Sequence, residues 1–309
     1  MKNVSHIPRK ELDLFSEKDL EFIFNQEKLT EFIGLPFNLE NFNAQIKAKE
    51  KNYTGNHRKV LSQVLAENYR TRNNNVESLH QIKRLEDSNT YTVTTGHQLC
   101  LLGGPMYFFL KIIHVIKLSC VLNEKYPDKH FIPLFWMASE DHDSAEADNI
   151  NLFNKTIRWD HQQEGAVGRF QNQNTNVVFK EILALFNASQ HAELKEIFKT
   201  FNGATYGEAF MNWLHELFAD KGLIIVDGDQ KELKTLFSPV ITSELTTGFS
   251  NTCVQKTNEK LVAEKRKIQV HSREINLFFL QGNKRIRIIK NDKHFDIGEK
   301  TFALTELLS

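Results

Sequence analysis

The clearest pattern of apolar and polar positions lies within residues 91–148. Apolar and polar side chains alternate over residues 91–95, which predicts a strand half-buried on one face. A glycine-rich loop follows, and residues 106–122 are apolar on most sides, which predicts a largely buried helix. Residues 131–138 form a nearly continuous apolar run, typical of a strand covered on both faces. The pattern therefore predicts a strand, a helix and a second strand.

Two loops should meet at one edge of the sheet that these strands form. A strand, a crossover helix and a second strand give parallel neighbours with a right-handed connection. The loops Gly96–Gly104 and Ser139–Asp143 then leave the sheet at its carboxyl edge. Open α/β sheets bind their ligands at that edge, so we expect a site there.

A second segment repeats this order further along the chain. Residues 206–220 are amphipathic, and Gly222 stands just beyond them, where a left-handed residue ends many helices. The apolar residues 223–226 predict a buried strand, and Asp227 and Asp229 follow it. If this strand joins the same parallel sheet, its two aspartates reach the same edge.

The predicted class is α/β, with a parallel sheet core, flanking helices, a helical N-terminal segment and a small C-terminal β-meander. The predicted bounds are 1–90 for the helical N-terminal part of the core, 91–245 for the core, and 246–309 for a helix plus the meander. Further helices are predicted at 177–186, 192–201 and 240–267, and meander strands at 275–280, 285–290 and 294–297. Residues 305–309 begin a helix without a closing element, so we expect a truncated or split product.

Composition narrows the classes of function. The net charge of +0 argues against a protein that binds nucleic acid through bulk charge. The N-terminus lacks an apolar signal core and no run of about 18 apolar residues occurs, so we expect a reducing cytoplasm and no membrane. Cys100, Cys120 and Cys253 form no CxxC pair, which argues against a zinc knuckle or a disulfide framework. We expect Cys120 to pack in the buried helix, and Cys100 is a less favoured candidate nucleophile.

The acidic turn Glu140–Asp143 is the sharpest candidate for chemistry, because it directly follows a buried strand. His142 stands between aspartates, and a carboxylate that orients and charges an imidazole makes a general base. One alternative is helix capping, with Ser139 as the N-cap and the acids in the first turn. Metal binding is a second, less favoured alternative, because adjacent residues rarely all point at one ion.

The glycine loop TGHQLCLLGGP matches neither the dinucleotide fingerprint nor the P-loop. A glycine-rich turn that leads into a helix still presents backbone N–H groups to an anion. Lys111 lies two turns into that helix, and the Tyr107 hydroxyl is close enough to the loop to contact a ligand. The alternative for Lys111 is a solvent-facing stripe shared with His114 and Lys117.

Together these motifs resemble those of the bacillithiol-synthesis cysteine-adding enzymes, also called cysteine ligases. The residues that match the family pattern are Thr95, Gly96, Gln98, Gly104, Pro105, Tyr107, Lys111, Pro133, Phe135, Trp136, Glu140, Asp141, His142 and Asp143. The later segments GLIIVDGDQKELK and INLFF also look like the family. The resemblance covers nearly the whole chain.

The resemblance implies a Rossmann-like core similar to that of nucleotidyltransferases, and a reaction that joins cysteine to glucosaminyl malate through an amide bond. ATP is the implied activator, with ATP or ADP as ligand and no metal firmly implied. The implied catalytic residues are Glu140, Asp141 and His142. The implied substrate-binding residues are Gly96, His97, Gln98, Gly104, Tyr107, Lys111, Trp136 and Asp143.

The chain departs from the family pattern in two ways. His97 stands where the family usually has Gln. Family members are also considerably longer, and their later region carries a helical coiled-coil arm, so a homodimer is expected for full-length relatives. Two other classes stay open: a metal-dependent hydrolase built on the Asp/His cluster, and a non-catalytic remnant that binds a partner or a metabolite.

Overall fold

A computed structural model describes residues 6–73 and 75–308 of the chain. These residues form two compact units. One unit contains the described residues up to Thr54 together with Lys256–Ile268, and the other contains Gly55–Gln255 together with the described residues from Gln269 onward. The bounds predicted above stay predictions, and their residues 1–5, 74 and 309 lie outside the described residues.

The helices and strands follow one another closely along the chain. The α-helices are α1 (Glu17–Phe24), α2 (Thr30–Ile33), α3 (Phe42–Asn52), α4 (Gly55–Tyr69), α5 (Val76–Arg84), α6 (Tyr107–Lys125), α7 (Ser144–Ala147), α8 (Thr175–Leu183), α9 (His191–Thr200), α10 (Tyr206–Phe218), α11 (Lys231–Leu236), α12 (Ser238–Thr247), α13 (Phe249–Ala263) and α14 (Leu304–Leu308). The strands are β1 (Thr90–His97), β2 (His130–Met137), β3 (Asn149–Leu152), β4 (Lys155–Arg158), β5 (Ile224–Asp227), β6 (Phe278–Gln281), β7 (Lys284–Asn291), β8 (His294–Ile297) and β9 (Lys300–Ala303). Short 3₁₀ turns lie at Arg9–Glu11, Gln26–Leu29, Leu101–Gly103, Val167–Arg169, Ala188–Gln190 and Ala219–Lys221.

The central sheet contains β1, β2 and β5 in that order, and both pairs of neighbours are parallel. In its register Gly96 pairs with Trp136, and Met137 pairs with Asp227. The carboxyl ends of the three strands therefore lie side by side. This confirms the predicted α/β class, and it brings the Asp227–Asp229 loop to the predicted edge.

Helix α6 packs on this sheet with one face only. Phe108, Ile112 and Leu122 are fully buried, whereas Leu110 is 57% exposed and Ile113 is 50% exposed. The prediction of a largely buried helix was therefore wrong, because a helix on one side of a sheet buries a stripe rather than its whole circumference. The expected packing role of Cys120 was also wrong, since its side chain is exposed.

Helices α4 and α5 contribute to the same core, through Leu65 and Tyr69 of α4 and Ile82 of α5. Tyr69 at the end of α4 is fully buried, and its hydroxyl accepts a hydrogen bond of 2.8 Å from the Ile225 amide in β5. Burial raises the pKa of this phenol to about 12, so the hydroxyl keeps its proton. Because β5 is an edge strand, this contact satisfies a backbone donor that the sheet leaves unpaired.

The second helix–strand segment agrees with its prediction. Helix α10 begins at Tyr206 with a reciprocal cap between Thr205 and Glu208. Gly222 adopts φ +69°, the left-handed conformation predicted from the sequence, and β5 follows. Helices α8 and α9 also form close to their predicted positions.

The C-terminal part differs from the prediction in two details. One helix was predicted over residues 240–267, but Gly248 at φ +59° separates α12 from α13. The meander has the three predicted strands and a fourth, β9, which the sequence pattern did not reveal. Its own small core contains Leu245, Ile275 and Phe295.

Candidate functional site

The ends of β1 and β2 bring the two predicted motifs into direct contact. The side-chain amide of Gln98 donates a hydrogen bond of 2.8 Å to Asp141 Oδ2. Gln98 belongs to the glycine-loop motif and Asp141 to the acidic turn. Their contact follows from the parallel pairing of β1 with β2, which places both loops at one edge of the sheet.

Asp141 is a carboxylate that the site keeps ionised. Burial opposes its ionisation, but hydrogen bonds from Gln98 and from the backbone amides of Asp143 and His142 outweigh that effect and hold its pKa below the usual range. Asp141 is therefore available as a hydrogen-bond acceptor for an amine or a hydroxyl group.

His142 is oriented by the backbone rather than by an aspartate. Its ring Nδ1 lies 3.0 Å from the Glu140 carbonyl oxygen. An imidazole that donates through Nδ1 carries its lone pair on Nε2, which is the form that a general base requires. We expected a neighbouring carboxylate to orient His142, but the structure has the Glu140 carbonyl oxygen in that position. The Asp141 carboxylate instead accepts a hydrogen bond from Gln98.

Glu140 belongs to a network of charges that the sequence did not reveal. Lys234 of α11 contacts Glu140 at 2.7 Å and Asp229 at 2.6 Å. Arg169 binds both carboxylate oxygens of Asp229, at 2.6 and 2.8 Å. Burial opposes the ionisation of Asp229, but hydrogen bonds from Arg169 and Lys234 prevail and lower its pKa. The network ties three loops of the site together.

The loop that carries Arg169 also fixes the acidic turn. The amide of Val167 donates to the Asp141 carbonyl oxygen at 2.8 Å, and the amide of Gly168 donates to the Ser139 carbonyl oxygen at 2.8 Å. A Cβ at Gly168 would lie 2.5 Å from the Ser139 Cβ, so only glycine fits this contact. The single available signal was a glycine within an otherwise irregular segment.

The alternative in which Ser139 is the N-cap of a helix was wrong, because another residue caps α7. Ser139 is buried and donates through Oγ to Asp227 instead of capping a helix. The cap of α7 is Asp143, whose Oδ1 accepts a hydrogen bond of 3.3 Å from the Glu146 amide. Asp143 therefore has a structural role, in addition to its place in the predicted site.

Asp227 differs from the neighbouring carboxylates. Burial raises its pKa, as do the charges of Asp229 and Glu140, although hydrogen bonds from Ser139 and the Asp229 amide oppose the change. A carboxyl group with a raised pKa at a ligand edge is typical of functional sites.

Two backbone amides of the glycine loop form hydrogen bonds within the loop and are not free to bind an anion. The Gly103 amide donates to the Cys100 carbonyl oxygen and the Gly104 amide to the Leu101 carbonyl oxygen, each at 2.9 Å. Both glycines have positive φ, and a Cβ at Gly104 would lie 2.7 Å from the Cys100 Cβ. Two of the amides expected to bind an anion are thus already engaged. Burial raises the pKa of the Cys100 thiol to about 11, which opposes formation of a nucleophilic thiolate.

The other predicted binding residues surround the start of α6 and the end of β2. The His97 ring lies between the Gln98 carbonyl oxygen, at 3.1 Å, and the Tyr107 hydroxyl, at 3.4 Å. Lys111 donates to the Gly96 carbonyl oxygen at 2.7 Å, which uses one of its three protons. His114 and Lys117 of the same stripe are exposed.

Trp136 forms an exposed aromatic surface at this edge. The side chain is 42% exposed, although its strand is otherwise buried from Phe131 to Met137. A Cβ at Gly228 would lie 2.9 Å from the indole ring, so this glycine gives the ring room.

The described residues lack two features, a metal-binding cluster and a membrane-spanning helix. Within 6–73 and 75–308, no group of three or more His, Cys, Asp and Glu side chains is arranged to hold a metal ion. In the same part of the chain no helix is both long and apolar enough to cross a membrane.

Comparison with known proteins places these motifs in a family. Residues 4–309 match the family described as "Bacillithiol biosynthesis BshC, N-terminal Rossmann-like domain". A protein of Christiangramia forsetii named "Putative cysteine ligase BshC" is 36% identical over 303 residues, which cover 96% of this chain and 56% of that protein. Its namesake in Flavobacterium johnsoniae is 38% identical over 277 residues, covering 88% of this chain and 52% of that protein.

A protein of Bacillus cereus with the same name is 29% identical over 250 residues, which cover 75% of this chain and 46% of that protein. The chain thus spans about half the length of the curated relatives that it matches. The predicted Rossmann-like core and the predicted resemblance are both confirmed. The chain belongs to the BshC family of bacillithiol biosynthesis and matches the N-terminal Rossmann-like domain of that family.

Proposed function

We propose that this chain forms the part of a cysteine ligase that joins cysteine to glucosaminyl malate through an amide bond. The hydrogen bond from Gln98 to Asp141 carries the proposal, because it joins the glycine-loop motif to the acidic-turn motif at the ligand edge of the sheet. Family membership supports it, since the relatives described above are cysteine ligases by name. For the whole protein we further propose a cytoplasmic homodimer.

Amide formation needs an attacking amine, an activated carboxyl and an acceptor for one proton. The amine nitrogen of glucosaminyl malate attacks the carboxyl carbon of cysteine, a C–N bond forms, and the activating group leaves with its electron pair. His142 accepts the proton at Nε2, because its Nδ1 faces the Glu140 carbonyl oxygen. Asp141 accepts a hydrogen bond from the amine and orients it. Glu140 keeps the turn attached to Lys234.

Substrate binding is proposed for the residues at the rim of this edge. The remaining protons of the Lys111 ammonium group suit the malate carboxylates. The exposed rings of Tyr107 and Trp136 form the walls, and Gln98 and His97 lie between them and the acidic turn. Gly96, Gly104 and Asp143 shape the loops that hold these side chains.

ATP is the proposed activator of the cysteine carboxyl, with ADP as its product. The glycine loop does not fit a triphosphate, because the amides of Gly103 and Gly104 donate to carbonyl oxygens of the loop itself. The nucleotide is therefore not assigned to that loop, and the steps above involve only the acidic turn.

A ligation assay tests the proposal. The purified chain is mixed with cysteine, ATP and glucosaminyl malate, and the cysteinyl amide is measured by mass spectrometry, with binding of each compound measured by calorimetry. We expect His142→Ala to lower the rate by about 100-fold or more, as for loss of a general base. His294→Ala, which removes an exposed histidine of the meander, is the matched control and should keep the rate. Equal rates in wild type and His142→Ala would refute the role of His142, and a chain that neither binds these compounds nor forms product would refute the function.

A further inference from the structure

A cavity lies between the ends of β2 and β5 and the helices α4 and α10, next to the acidic turn. Its volume is ≈ 540 Å³, within the range of small-molecule sites. Ser139 and Asp227 line it from the sheet, and Asn68 and Arg72 line it from the end of α4. The residues given catalytic or substrate-binding roles above do not line this cavity.

Three buried polar atoms on residues that line the cavity have no hydrogen-bond partner among the described residues. They are Asn68 Nδ2, Arg72 Nε and Gln230 Oε1. Buried polar groups in folded proteins are nearly always paired, so each of these atoms requires an explanation. The first two are donors and the third is an acceptor.

The charges around the cavity are also incompletely matched. Within residues 6–73 and 75–308, the terminal nitrogens of Arg72 form hydrogen bonds with two neutral atoms, Asn212 Oδ1 and Met211 Sδ. Burial lowers the pKa of this guanidinium, the change expected for a cation withdrawn from water. Glu208, the nearby acid on α10, uses a carboxylate oxygen to accept the amides of Ala204 and Thr205. An added carboxylate would give Arg72 the anionic partner that its hydrogen bonds lack.

The cavity lining also supplies acceptors. Asp227 supplies a carboxyl group there, and Gln230 supplies its unpaired carbonyl oxygen. An ammonium group has three donors and suits both of them. Met137 and Met211 add thioether side chains, which suit a small apolar or sulfur-containing group. Donors and acceptors within one cavity match a molecule that carries both a carboxylate and an ammonium group.

We propose that this cavity binds the amino-acid substrate as a zwitterion, with its carboxylate at Asn68 and Arg72 and its ammonium at Asp227 and Gln230. The identity of that amino acid as cysteine rests on the proposed function. Ser139 connects the two sites, because its Oγ donates to Asp227 and its carbonyl oxygen accepts the amide of Gly168 from the loop that also binds Asp141.

Calorimetry on the whole 309-residue chain, with cysteine and two truncated analogues, tests this assignment. Cysteamine lacks the carboxylate, and 3-mercaptopropionate lacks the ammonium. Each should bind at least about tenfold more weakly than cysteine, because each loses a charged hydrogen-bonding group. Arg72→Gln should weaken binding of cysteine and 3-mercaptopropionate and leave cysteamine unchanged. Asp227→Asn should weaken binding of cysteine and cysteamine and leave 3-mercaptopropionate unchanged.

Controls separate the assignment from misfolding and from the proposed function. Lys195→Gln, on the exposed face of α9, should bind all three compounds as wild type does. Arg72→Lys keeps the charge and should retain part of the affinity if Arg72→Gln fails to fold. The assignment is overturned if cysteine does not bind, or if each variant weakens both analogues equally. Cysteine binding with this pattern, but without any cysteinyl amide in the ligation assay, would refute the proposed function and leave the assignment intact.

Discussion

The side-chain amide of Gln98 donates a hydrogen bond of 2.8 Å to the Asp141 carboxylate, although the two residues are 43 positions apart. The contact joins the end of β1 to the turn after β2 and makes one surface of two loops. It also supplies the largest of the effects that lower the pKa of Asp141 against the opposing effect of burial.

Replacement of Gln98 by Ala should raise the pKa of Asp141 toward its usual value, because the carboxylate loses its side-chain donor. Unfolding free energy should fall by about 1 kcal/mol, the usual contribution of such a hydrogen bond. Carboxyl chemical shifts of Asp141, followed by NMR against pH, measure the first effect. Gln63→Ala, an exposed glutamine on α4, is the control. An unchanged Asp141 titration in Gln98→Ala would contradict the prediction.

Gly168→Ala should destabilise the protein and displace the acidic turn. The new Cβ would lie 2.5 Å from the Ser139 Cβ and 2.8 Å from the Ser139 carbonyl oxygen. Relief of such overpacking costs about 1–3 kcal/mol. Chemical denaturation measures the loss, and Gly55→Ala is the control, because a Cβ added at Gly55 would have no atom within 4 Å. Equal stability of the two variants would show that the loop moves away from Ser139 without cost.

The parts of the site that the sequence predicted are those fixed by local periodicity and by topology. Alternation before Gly96 and the apolar run up to Met137 predict two parallel strands, and parallel strands bring their following loops together. The identities of the contacts depend on longer chain paths. Arg169 meets Asp229 across 60 positions, through an irregular loop without a periodic pattern.

Burial was the other property that the sequence left undetermined. The apolar composition of α6 does not reveal how many of its faces are covered, and Leu110 proved to be exposed. Similarly, the SEDHD letters predict acids and an imidazole at a ligand edge, but not which group each side chain faces. His142 faces a backbone carbonyl oxygen, whereas Glu140 faces Lys234.

Arg169→Ala should destabilise the protein at neutral pH, because Asp229 loses a bidentate partner. We expect a loss of roughly 1 kcal/mol, reduced from the value for a buried pair because Arg169 is half exposed. Asp229 has a lowered folded pKa, so its stabilising effect is present above its unfolded pKa and disappears as pH falls through the folded pKa. The difference between wild type and Arg169→Ala should therefore shrink in acid.

Urea denaturation at a series of pH values measures that difference. Arg158→Ala removes an exposed arginine that contacts Asp148 in a single hydrogen bond of 3.1 Å, and it serves as the matched control with a smaller effect. A difference for Arg169→Ala that grows toward low pH would contradict the role of its ion pair with Asp229.

The stability of Asp227→Asn relative to wild type should depend on pH in the opposite direction to that of Arg169→Ala, and should grow as the pH rises. Burial raises the folded pKa of Asp227, so ionisation is harder in the folded than in the unfolded protein. Wild type therefore loses stability as pH rises from the usual aspartate pKa through the raised folded pKa, whereas asparagine does not titrate. The unfolding free energy of Asp227→Asn minus that of wild type should increase across this window and then stay constant.

Urea denaturation between about pH 3 and 8 measures this difference, with Asp220→Asn on the surface as the control. A stability difference that is independent of pH would contradict this prediction. It would mean that burial does not raise the pKa of Asp227, and that Ser139 donates its hydrogen bond to a fully ionised carboxylate.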